Sequence, residues 1–110
     1  MGSLVVLRLP LSFPYLPSGT PLIKRIAART GYIVCRRGPL VTINGHLAAV
    51  ARMADAAGRP LMRWTGCRRL RAAETFVLST HPDSFDSRYF GPIERRYILG
   101  TATQAFHWRL

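Results

Sequence analysis

A lysine can serve as general base toward a serine hydroxyl only when its amine is neutral. Its pKa must then fall from about 10.4 towards 7 or 8, which amounts to about 4 kcal/mol of destabilised ammonium. Lys24 stands in the run Leu22-Ile23-Lys24-Arg25-Ile26-Ala27-Ala28. On an extended backbone it shares a face with Leu22 and Ile26, while Arg25 turns to the other face. Two apolar neighbours that exclude water supply desolvation, the effect that lowers a lysine pKa. The competing reading is a solvated surface amine of ordinary basicity, the fate of most lysines.

Other chemistry-bearing residues point elsewhere or nowhere. His46, His81 and His107 have no carboxylate or cysteine at ligand spacing and no G-x-S-x-G context, so neither a metal site nor a histidine triad is expected. No cofactor is expected either. Cys35 and Cys67 lack CxxC spacing. A bridge between them would close a loop worth about 3 to 4 kcal/mol in the chain-entropy model and would need an oxidising compartment; two buried free thiols are the alternative.

The elements that must position Lys24 read as short strands. Residues 4–9 form a β-rich run ended by Pro10, and Pro10, Pro14 and Pro17 make the next stretch a loop. Residues 21–28 read as a strand, 32–35 and 40–43 as two more around Arg36-Arg37-Gly38-Pro39, and Asn44-Gly45 is a hairpin signal. Residues 47–57 are Ala-rich and end at Gly58, so one short helix is expected there. Residues 74–79 and 97–103 read as strands, with a polar loop over 80–88. The expected fold is mostly β and antiparallel.

At 110 residues the chain is one domain with one modest core. Sixteen Lys and Arg against five Asp and Glu give a net charge of +11, enough to hold a polyanion or an anionic lipid surface. The basic residues are scattered as pairs (Lys24-Arg25, Arg36-Arg37, Arg68-Arg69, Arg95-Arg96) without an aromatic-rich RNA-binding signature, which argues against a nucleic-acid partner. No stretch approaches the roughly 20 apolar residues of a membrane-spanning helix, and residues 1–9 lack the layout of a signal peptide. As written, the chain reads as soluble.

Two segments together resemble the type I signal peptidases. The Lys24 run resembles that family's box around its catalytic lysine. Sixty residues on, Asp83-Ser84-Phe85-Asp86-Ser87-Arg88-Tyr89-Phe90-Gly91-Pro92-Ile93 resembles its S-x-D-S-R-Y-F-G box. The conjugative-transfer (TraF-type) branch is the nearest match, through the paired cysteines, the Asn-Gly hairpin, Gly58 to Leu61 and Gly66 to Leu70.

The resemblance implies the partly open antiparallel barrel of the signal peptidase catalytic core and a serine endopeptidase with a Ser/Lys dyad. In it Lys24 is the general base, Ser84 orients the lysine amine, and Asp86 and Arg88 form a supporting ion pair. It also implies a Cys35–Cys67 bridge, an exported precursor or pilin as substrate, and a membrane anchor at the periplasmic face of the inner membrane. The family's nucleophilic serine precedes the lysine strand. Here Gly2 to Leu7 resembles G-D-x-V-x-L, with Ser3 in place of Asp, and Ser12 and Ser18 lie in the proline-rich loop. No serine is assigned the attacking role. Gly31-Tyr32 also stands where the family has Gly-Asp. The expectation is a single core domain over 1–110 that lacks the anchor and nucleophile box and is inactive alone. The alternatives are a basic β domain that binds nucleic acid and a relic that binds peptide along a strand edge.

Overall fold

Asn44 and Gly45 both adopt positive φ, 50° and 83°, the backbone that a two-residue hairpin turn demands. This turn joins β4 (Leu40–Ile43) to β5 (His46–Val50), with Ile43 opposite His46. The Asn44 side chain secures it, Oδ1 accepting from Ile33 N at 2.8 Å. The computed structural model describes residues 2–10, 16–17 and 19–102. Ser12, Ser18, His107 and the Thr103 end of the expected last strand lie outside them.

The other strands among the described residues are β1 (Leu4–Leu7), β2 (Leu22–Ala28), β3 (Ile33–Arg37), β6 (Gly66–Arg69), β7 (Glu74–Leu78), β8 (Ile93–Glu94) and β9 (Ile98–Ala102). They pair antiparallel into a five-stranded sheet, β8-β7-β2-β1-β9, and a four-stranded sheet, β5-β4-β3-β6. One short α-helix, α1 (Ser87–Phe90), lies between β7 and β8. The mostly β, antiparallel class with a single short helix agrees with the sequence reading.

The helix is not where local propensity puts it. Residues 47–50 belong to β5 and 51–62 are irregular, closed by an Ala54–Pro60 bridge. The Asn-Gly turn delivers this alanine-rich segment directly onto β4, and ladder pairing overrides its helix preference. Helix forms instead at the end of the expected polar loop, where Asp86 caps it. β6 carries no strand pattern of its own. It exists because it pairs with β3, Cys35 opposite Cys67.

β7 connects two cores. Phe76 and Leu78 pack with Ala28, Val34, Val41 and Leu70. Val77, on the other face, packs with Val5, Leu7, Leu9 and Ile93. Each of the Val, Leu, Ile and Phe side chains contributes about 1.5 to 3 kcal/mol by leaving water. Strand β2 lies between β1 and β7, so its side chains enter the best-packed part of the molecule.

Candidate active site

Lys24 pairs with Val5 across β1 and follows Leu22 and precedes Ile26 on the strand face that meets the second core. Only 8 % of it is exposed. Burial pushes its pKa below the ordinary lysine value of 10.5; the Asp86 carboxylate opposes that shift and the Arg88 guanidinium adds to it. Among the described residues, no hydrogen bond or ion pair reaches its amine. Of the sixteen Lys and Arg in the chain, Lys24 is the only lysine. An arginine cannot give up its proton in a protein, whereas a buried lysine can.

Asp86 and Arg88 form a buried, bidentate pair. Arg88 Nε donates to Oδ1 at 2.8 Å and Nη2 to Oδ2 at 2.9 Å. Oδ2 also accepts from Ser79 N, and Oδ1 from Arg88 N at the start of α1. Nη1 donates to Val50 O and Nη2 also to Ser79 O, so one side chain ties the end of β5 to the end of β7. The helix cap at Asp86 brings the two side chains together.

Ser84 is half-buried. Its N–H donates to His81 O at 3.1 Å, and its hydroxyl makes no hydrogen bond among the described residues, to Lys24 or otherwise. Ser87, which the sequence reading passed over, is fully buried, and its Oγ accepts from Val77 N at 2.9 Å. Cys35 and Cys67 are joined by a disulfide. Among the described residues no group of His, Cys, Asp and Glu is arranged to hold a metal, and no helix is long and apolar enough to cross a membrane.

Two more residues missed in the sequence bind the same box. Arg36 is 1 % exposed, and its Nη1 donates to Arg88 O at 2.6 Å. Trp64 Nε1 donates to Ser87 O at 3.0 Å. Neither carries a sequence signal beyond its type, because both partners are backbone carbonyls. An open groove of about 710 Å³ runs beside this region, lined in part by Arg25, Ala27, Ile43, Val50, Leu78 and Ser79.

The sequence matches the family described as signal peptidase, peptidase S26, over residues 1–108, and the chain belongs to that family. Within it, the chain is 35 % identical over 91 residues to the plasmid transfer protein TraF of Escherichia coli, covering 79 % of this chain and 51 % of that one. It is 37 % identical over 91 residues to the probable conjugal transfer protein TraF of Sinorhizobium fredii, covering 80 % and 47 %. The chain thus spans about half the length of these relatives. Its fold is that of a signal peptidase I from Enterococcus faecalis, with TM-score 0.56, 20 % identity, and coverage of 93 % and 94 %.

Proposed function

We propose that this chain carries the general-base side of a Ser/Lys endopeptidase of the signal peptidase type, acting on exported or pilin precursors of a conjugation apparatus. The observation that supports it most is the burial of the single lysine within electrostatic reach of the Asp86–Arg88 pair. The neutral Lys24 amine takes the proton of a serine hydroxyl as that oxygen attacks the scissile carbonyl. The resulting ammonium gives the proton to the departing amine, and a water repeats the cycle on the acyl-enzyme. The family resemblance gives Ser84 the role of orienting that amine, although its hydroxyl makes no bond to Lys24 in the structure, while Asp86 and Arg88 hold the loop that carries Ser84.

The attacking serine has no counterpart among the motifs of this chain, and we place it in the additional length that the relatives possess. We further place the domain at the periplasmic face of the inner membrane. The Cys35–Cys67 bridge supports that location, since such bonds persist in oxidising compartments.

The test is cleavage of a synthetic pilin-precursor peptide by this domain joined to the serine-bearing N-terminal segment of a TraF relative. Turnover that vanishes in both Lys24→Met and Lys24→Arg is the expected result. Undiminished turnover in Lys24→Arg would overturn the assignment, because a guanidinium cannot act as the base.

A further inference from the structure

We infer that Trp64 and Arg36 are positioning residues for Lys24: with the Cys35–Cys67 bridge that joins their strands, they fix the short helix that sets Asp86 and Arg88 beside the amine. The inference rests on the reading of Lys24 as the base. Arg36 lies in β3 and Trp64 two residues before β6, and Arg36 sits opposite Gly66 in the β3–β6 ladder. Thr65 Oγ1 donates to Arg36 O at 3.4 Å, so the two residues are held on one disulfide-joined arm.

That arm grips successive carbonyls of α1, Ser87 O through the indole and Arg88 O through the guanidinium. A four-residue helix satisfies few of its own carbonyls, so outside donors decide where it sits. Arg36 is held there at a cost. It is fully buried, and its Nη2 has no partner among the described residues, which a well-packed leucine would avoid. Trp64 closes the far end. Gly91 has φ +75°, and a Cβ on it would lie 3.6 Å from the indole. The indole also packs edge-on against Phe76 at 5.9 Å.

Arg25 pairs with Leu78 across β2 and β7, so Lys24 stands at the level of Ser79, whose N–H and carbonyl are held by Asp86 and Arg88, and both of these belong to the segment this arm holds. Loosening the arm lets α1 shift and water reach the amine, which raises its pKa towards the ordinary value.

Because the chain has one lysine, its side-chain NMR resonance reports the titration of Lys24 alone. The 110-residue chain is titrated as wild type, as Trp64→Phe, as Arg36→Met and Arg36→Lys, and as reduced wild type. Trp64→Phe, Arg36→Met and the reduced protein are expected to titrate about one pH unit higher, a tenfold change in proton affinity. Arg36→Lys, which keeps a donor for Arg88 O, falls between them and wild type. The inference is overturned if Trp64→Phe and the reduced protein, both folded by their amide dispersion, titrate as wild type does; these two carry the test should Arg36→Met not fold. A wild-type titration at the value of free lysine overturns the base assignment itself.

Discussion

Arg88 grips Asp86 through both carboxylate oxygens, at 2.8 and 2.9 Å, with both side chains sealed from water. The same carboxylate caps α1 and accepts from Ser79 N. The pair is therefore the fastening of the loop that carries Ser84, and its charges are felt by Lys24.

Removing one member of such a pair leaves the other buried and uncompensated, at a cost of about 3 to 5 kcal/mol. Asp86→Asn is expected to lose stability on that scale in urea denaturation. A loss below about 1 kcal/mol, the range of an exposed pair, would show that the contact is not sealed.

Lys24 makes stability depend on pH. Its folded pKa lies below its unfolded value near 10.5, so between the two the unfolded chain binds more protons. Stability then rises with pH across that window, by about 1.4 kcal/mol for each unit separating the two values. Below the folded pKa the destabilisation is complete, and above 10.5 it is gone. The difference between wild type and Lys24→Met, followed by urea unfolding from pH 6 to 11, should narrow as pH rises. A difference that stays flat contradicts a buried amine.

The two serines of the box should separate cleanly. Ser87→Ala strands the buried Val77 N–H and is expected to cost about 1 to 3 kcal/mol. Ser84→Ala breaks no hydrogen bond among the described residues and is expected to leave stability within about 0.5 kcal/mol. Its effect should fall on turnover, as a lower kcat in the peptide assay. The reverse pattern, with Ser84 essential for folding and Ser87 dispensable, would dismiss these roles.

Cys35 and Cys67 stand directly opposite on neighbouring strands, so their bridge closes the whole β4–β5 excursion. Cys35→Ala with Cys67→Ala is expected to cost about 3 to 4 kcal/mol. Coincident unfolding midpoints for wild type and the double variant would show that the loop needs no closure.

Strands with alternating apolar residues and a turn signal were legible before any coordinates: β2, β4 and the Asn44–Gly45 hairpin stand where pattern and turn chemistry put them. Residues 47–50 misled because alanine speaks for helix locally, while the pairing that decides the matter comes from β4. β6 was hidden because Gly-Cys-Arg-Arg has no alternation and forms by pairing with β3.

At the site, Lys24 was visible from its apolar neighbours. Arg36 and Trp64 were not, since each bonds a backbone carbonyl far away in sequence, and such contacts leave no trace in residue type. In a chain whose other Lys and Arg positions are all arginine, the lone lysine is the one of them able to release a proton.

Because Asp86, Ser87, Arg88 and Tyr89 are all buried, and the last three are bonded to segments beyond the box, natural selection for folding alone would preserve most of the signature. A descendant that had abandoned proteolysis would still display it. Ancestry is therefore written in the box; under the proposed function, occupation is written in the amine at position 24, and surveys that sort working enzymes from retired ones should weigh that single letter above the longer motif.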